Sequence, residues 1–487
     1  MFQKSSKKRQ QIRRAIVSVI SVIAVLVIVT GTILFALGYR LDGDKGRLEQ
    51  GALVQFDSKP GGATVSVDGK TIGKTATKQS VIAGDHTFIM TKTGYDSWAK
   101  SLALSAGTLN WLDYARLVPK DLPSETVVSY KTVAGELASP DNKTMLIQEK
   151  ADAPTFQVVD LRAQDVKSTS ITLPTSLYSE ATTEGTTHTF TMMRWDSGGR
   201  YMLVKHTYGD KSEWIVLDTQ SVSSSVNVST LLNISVADLH FAGTNGTSLY
   251  GLTTDGILRK LDLSAATISR GLISNVSSFD VFDNNIITYV GLDPNDATHQ
   301  VAGIYRDGDA SPHVLRTENS LTTPLSIATT RFFADDYVAI ADGLKVTVLK
   351  GSYPVTAADD STSLKQFGSF TVSAPVDQLS FSPEGDYLVA QSGLNFISYE
   401  LEYQRQTNAN VTTSESTSHV LQWLDPAYLW AAYDGHLSIR EFDGTNVHVI
   451  NTSEPGFDAT LSPNGTYLYT VAKSGDGYQL ERVKMIL

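Results

Sequence analysis

"ATLSPNGTYLYTVAKSGDGYQLERVKM", residues 459–485, holds an apolar strand, a Ser-Pro-Asn-Gly turn, a strand led by Tyr467 and one strand more. Apolar and polar side chains alternate along it with period two, as on a strand with two unlike faces. Gly and Asp break the run where a helix would continue. The same order recurs upstream. "LSFSPEGDYLVAQSGLNFISYELE" (379–402) is the clearest second copy, 137–161, 193–219 and 239–263 are weaker, and 279–292, 331–350 and 421–442 are degenerate. With Thr144 and Tyr467 as equivalent positions the interval averages about 46 residues, close to the periods of propeller blades. The shortness of the segments and their Val, Tyr, Phe and Thr content disfavour helical repeats of similar length.

One four-stranded sheet cannot bury both of its faces, whereas a ring of such sheets stacks face to face and protects the strand edges. Only two strands, Tyr467–Ala472 and Tyr478–Met485, fit after the last turn, so the last sheet lacks its outer strand. "TVVSYKT" (126–132) is an alternating run with no sheet of its own. Pairing the two would close the ring. Residues 125–487 are therefore expected to form a β-propeller of eight blades, or seven if one weak copy is an insertion. The turn Ser382-Pro383-Glu384-Gly385-Asp386-Tyr387-Leu388 and its counterpart at Ser462 resemble the tryptophan-aspartate-like repeat of periplasmic TolB-type propellers. That resemblance implies a rigid disc that binds proteins or glycans through its faces.

Near the N-terminus, "VDGKTIGKTATK" (67–78) carries Gly-Lys-Thr twice. A phosphate-binding loop needs a glycine five residues before the Gly-Lys-Thr glycine, where this chain has Thr64 and Asp68, and a helix after it. Neither condition holds. Asp68-Gly69 after the alternating Ala63–Val67 instead marks a two-residue hairpin turn. Further strands follow at His86–Met90, Trp98–Leu104 and Trp111–Leu117, so residues 55–119 read as a small antiparallel β-sandwich after a 38–54 linker. A core this small leans on large aromatics, here Phe88, Tyr95, Trp98 and Trp111. The proline turn at Lys59-Pro60-Gly61-Gly62-Ala63, the hairpin, Ala83-Gly84-Asp85-His86 and Gly94-Tyr95 with Trp98 together resemble the PEGA domain of prokaryotic surface proteins. Gly61 stands where the family usually has glutamate and Ala76 where proline is common. The resemblance implies an interaction or wall-proximal module without assigned chemistry.

Ala15–Leu37 carries no charge, and at 1.5 Å per residue it would span about 34 Å as a helix, enough for a bilayer's hydrocarbon core. All six charged residues before it, Lys4, Lys7, Lys8, Arg9, Arg13 and Arg14, are basic. The positive-inside rule then puts tail 1–14 in the cytoplasm and the rest outside. A cleaved signal peptide is the competing reading, but its apolar region would be shorter. The chain has 40 basic against 51 acidic residues, and the acidic excess all lies after Arg14, which argues against nucleic acid as a partner. It has no cysteine, which excludes disulfides, thiolate metal sites and a cysteine nucleophile.

No catalytic, cofactor-binding or metal-binding residue is expected. Gly246–Gly251 has the wrong spacing for a serine nucleophile elbow, and no two of the nine histidines fall within four residues. Asp335-Asp336 and Asp359-Asp360 would point to opposite faces of a strand. His86 reads as a strand residue at a turn exit, and Leu41–Gly46 as a polar linker and not a calcium loop. Asn142, Asn233, Asn275 and Asn464 head sequons that turn chemistry explains. Trp195, Trp214, Trp423 and Trp430 read as packing residues, with sugar stacking as the alternative. The expected whole is a non-enzymatic, single-pass protein of a prokaryotic cytoplasmic membrane. Its propeller would recognise an envelope protein or a cell-wall polymer. The alternatives are a glycan-processing enzyme with its site in the propeller channel and a structural role in wall or surface-layer attachment.

Overall fold

The computed structural model describes residues 7–36, 39–42, 47–180, 185–353, 364–415, 419–454 and 456–487. Residues Gly43–Gly46 of the calcium-loop-like stretch Leu41–Gly46, and the pair Asp359-Asp360, lie outside them. The first element is a helix, Lys7–Ala36, so helical structure starts inside the expected basic tail. Its Ile12–Leu34 stretch is long and apolar enough to cross a membrane, and none of it is buried within the protein. The chain then divides into two compact units between Asp121 and Leu122.

The first unit is a pair of four-stranded sheets. One holds Tyr39–Asp42, Arg47–Lys59, Thr77–Ile82 and Leu109–Arg116; the other holds Lys70–Lys74, Thr64–Val67, Gly84–Thr91 and Trp98–Leu104. Residues 39–42 and 47–54, expected as linker, are strand: Tyr39–Asp42 pairs antiparallel with the long strand Arg47–Lys59, which 47–54 opens. That strand pairs in parallel with Leu109–Arg116, so the sandwich is not antiparallel throughout. The hairpin replaces any phosphate loop: Asp68 (φ 49°) and Gly69 (φ 80°) are its two central residues, and Lys70–Lys74 continues as strand. Asp68 accepts from the Thr87 N–H (2.9 Å) and lies 2.6 Å from His86 Nδ1, while His86 Nε2 meets the Ile82 carbonyl at 2.7 Å. His86 thus staples the hairpin to its neighbour. Phe56, Phe88, Met90, Tyr95 and Trp98 fill the core. Trp111 is only half-buried, because strand alternation turns its neighbours Asn110 and Leu112 inward instead.

Among the described residues the second unit contains eight four-stranded sheets, I to VIII. Sheet I is formed by Gly135–Ala138, Thr144–Gln148, Thr155–Asp160 and Ser168–Thr172. Sheets II to VII follow within 188–227, 236–268, 276–318, 325–371, 378–410 and 422–452. Each of the eight sequence copies falls on one sheet. The turn that defines the repeat has a local cause: at its start one oxygen-bearing side chain caps the backbone of the next strand. Ser139, Ser382 and Ser462 accept from the N–H of Thr144, Tyr387 and Tyr467, and Asp196 and Asp425 do the same for Tyr201 and Tyr428. Asn142 (φ 58°) and Gly199 (φ 68°) hold left-handed positions in these turns, as Asn233 and Asn275 do elsewhere, so turn geometry accounts for those sequons.

Sheet VIII is closed by the strand foreseen for it. Ala459–Leu461, Tyr467–Ser474 and Gly477–Lys484 are joined by Ser124–Tyr130, with Tyr478 opposite Tyr130 and Leu480 opposite Val128. Apolar clusters bridge consecutive sheets. Phe156 of sheet I packs with Met202 and Ile215 of II, Trp214 of II with Leu249 of III, and Tyr337 of V with Leu388 of VI. The cycle closes where Met145 and Ile147 of sheet I meet Tyr469, Val471 and Leu480 of sheet VIII. Arg482 clips this seam, donating to Glu125 (2.8 and 3.0 Å) and to the Gln164 carbonyl (2.7 Å), with its guanidinium 4.5 Å above the Tyr467 ring. The second unit is a β-propeller.

Candidate functional site

The first strands of neighbouring sheets are linked directly by polar side chains, which marks them as the inner strands of the ring. Arg194 of sheet II lies against His240 of sheet III and 3.3 Å from Asp238. His240 is buried between Asp238 (3.1 Å) and Asp280 of sheet IV (3.1 Å). Burial would raise the Asp238 carboxyl, yet the His240 hydrogen bond and the charges of His240 and Arg194 bring it below its ordinary range. On the other side of the cycle Glu136 of sheet I accepts from the backbone N–H of Asp458, which itself takes Gln422 of sheet VII at 3.3 Å. Burial, then the Asp458 charge, pushes Glu136 well above the usual carboxyl range, and burial raises Asp458 too. Asp238 and Asp458 hold equivalent positions, each four residues before the turn of its sheet, whereas Glu136 and Asp280 do not; all four make a bond to a neighbouring sheet.

A second constellation crosses sheet II. Strands Tyr201–Tyr208 and Lys211–Asp218 are joined by Gly209-Asp210, a two-residue turn that sets His206 opposite Glu213, and His206 also pairs with Phe190 on the first strand. His206 is wholly buried. Its Nδ1 lies 2.8 Å from Glu213 and its Nε2 2.9 Å from Nδ1 of the half-buried His188. Glu213 also accepts from the Ser179 N–H (2.7 Å) and hydroxyl (2.9 Å). Burial alone would raise this carboxyl; the His206 and Ser179 bonds hold it down at about 2. The rings of His188, His206 and Tyr208 lie nearly parallel, with Phe190 stacked on His206 at 4.3 Å. His188 ends the chain in a cavity of about 420 Å³ lined by Asp152, Pro154, Tyr178, Glu180 and Phe190 among others.

Residues singled out in the sequence behave as packing and turn residues. Trp214 is buried and donates to the Val236 carbonyl (3.0 Å), and Trp195 donates to that of Leu137 (3.1 Å). Trp423 donates to the Ser380 hydroxyl (3.2 Å), and Trp430 is buried. Asp335 pairs with Lys350 (3.0 Å) while Asp336 pairs with Arg331 (2.8 Å), so the two carboxylates do not converge. Among the described residues no group of three or more His, Asp or Glu side chains is placed to hold a metal ion. The His188–His206–Glu213 chain was missed in the sequence, although the Gly209-Asp210 turn could have shown its inner pair.

Residues 53–119 match the PEGA domain family. Comparison with the curated proteins gives no sequence match. Several solved propellers are similar in fold. The Myceliophteria thermophila Cps50 (Swd1) β-propeller domain is 11% identical, with 74% of this chain and 99% of that one covered at a TM-score of 0.40. Kluyveromyces lactis Hsv2 is 12% identical over 72% and 98% at 0.37. An oligogalacturonate lyase in complex with manganese is 9% identical over 75% and 98% at 0.42. At such values the strand pairing of this chain, and not the likeness, carries the description of its fold.

Proposed function

We propose that this protein is a non-enzymatic recognition scaffold of a prokaryotic envelope, held in the cytoplasmic membrane by Ile12–Leu34. A PEGA domain and an eight-bladed propeller would follow on the outer side. The observation that carries the reading is the unburied apolar helix, preceded by basic residues and followed by two folded β units. A helix with that composition finds its partner in lipid. The ion pairs of the inner-strand acids Asp238 and Asp280 support binding over chemistry, because groups engaged in holding sheets together are not poised for proton transfer. The partner would be an envelope protein, recognised through the second unit. Cross-linking in intact cells tests this: full-length chain should capture a protein that a chain ending at Asp121 does not. Capture by both equally, or by neither, would refute recognition by residues 122–487.

A further inference from the structure

The cavity at His188 is lined by two carboxylates beside the hydroxyl-bearing Tyr178, Thr186 and Thr187. Asp152 and Glu180 contribute exposed carboxylates, and among the described residues no basic one lines the cavity. The hydrogen-bond chain behind it fixes the third acceptor. Glu213, an ionised carboxylate, can only accept, so His206 donates from Nδ1. In the neutral ring Nε2 then accepts from the Nδ1–H of His188, 2.9 Å away. That leaves His188 Nε2 without a proton, facing the cavity with Glu180 3.9 Å away. Pro154, Tyr178 and Phe190 form the apolar walls, the two rings meeting edge to face at 5.1 Å.

We propose that this cavity takes the ammonium group of a lysine side chain on a partner protein. An ammonium has three N–H donors and no acceptor, matching two carboxylates and one imidazole lone pair. Its alkyl stem would lie against Pro154 and the aromatic rings, whose faces attract cations. The buried His206–Glu213 pair acts as a positioning unit that keeps His188 in the accepting tautomer. The assignment rests on the recognition reading above and names the group being recognised.

The test is calorimetric titration of the detergent-solubilised full chain with the peptide acetyl-Gly-Lys-Gly-amide, against the same peptide with norleucine or arginine. The lysine peptide should bind, the norleucine peptide should not, and Asp152→Asn and Glu180→Gln, which keep an acceptor oxygen but remove its charge, should each weaken binding about tenfold. Equal binding of norleucine, tighter binding of arginine, or unchanged binding by the double variant would overturn the proposal. Both carboxylates are exposed, so the variants should fold. Nitrogen-15 NMR should find His188 protonated on Nδ1, and protonation on Nε2 alone would overturn the relay. If the double variant cross-links the same cellular partner as the native chain, the lysine pocket fails and the recognition reading stands. If the native chain binds the lysine peptide but captures no protein in cells, the pocket stands and the recognition reading fails.

Discussion

Replacing Arg482 by methionine should weaken the ring at its seam by about 2.5–5 kcal/mol, from the sum of its three contacts. The guanidinium makes three contacts of unequal worth. Its pair with Glu125 is discounted because that carboxylate is 61% exposed, leaving about 0.5–1 kcal/mol. The 2.7 Å bond to the Gln164 carbonyl comes from a side chain that is only 8% exposed, and a charged donor there contributes about 1.5–3 kcal/mol. Lying over Tyr467 adds about 0.5–1 kcal/mol. Methionine keeps most of the apolar stem, so little cavity cost is added. Equilibrium urea unfolding of the solubilised chain, followed by tryptophan fluorescence, reads the change. Arg162→Met is the control: its pair with Asp160 measures 2.7 Å, but with side chains 60% and 40% exposed its loss should leave the unfolding curve almost unmoved. If Arg482→Met is as mild as Arg162→Met, the seam is not held as described.

Two other changes probe packing between sheets. Glu136 binds its proton more tightly folded than unfolded, so its contribution to stability is lost as pH rises from the ordinary carboxyl value of 4.5 through its raised one. Glu136→Gln should therefore stabilise the chain by about 1–3 kcal/mol at neutral pH and make no difference below about pH 4, as thermal unfolding across pH would show. Gly246→Ala should destabilise by about 2 kcal/mol or more in urea unfolding, since a Cβ there would sit 2.6 Å from the Tyr201 ring at a φ of +67°.

The repeat was legible because its turn chemistry is local. A serine or aspartate caps a backbone N–H three to five residues ahead, leaving a short sequence signature wherever it is used. Two of the degenerate copies use other turns. In sheet IV, Asp283 and Asn284 form a tight left-handed pair, and in sheet V, Phe333 takes φ 53°, so neither shows Ser-Pro-x-Gly. Ring closure was legible for a different reason: an unpaired strand at 126–132 and a missing one at the other end specify each other. Contacts between distant sheets were not. Glu136 and Asp458 stand 322 positions apart, and only the closed ring brings them together. The parallel pairing of Leu53 with Leu109 escaped notice because alternation gives a strand's faces and not its direction.

The central claim, an anchored helix with the propeller outside, is tested most directly by labelling. The chain has no cysteine, so one placed at the exposed Ser474 or within the first fourteen residues would be unique. Treated with a membrane-impermeant maleimide, intact cells should label Ser474→Cys and spare the N-terminal cysteine until they are permeabilised. The reverse pattern, or release of a labelled chain without its N-terminal helix, would contradict the account.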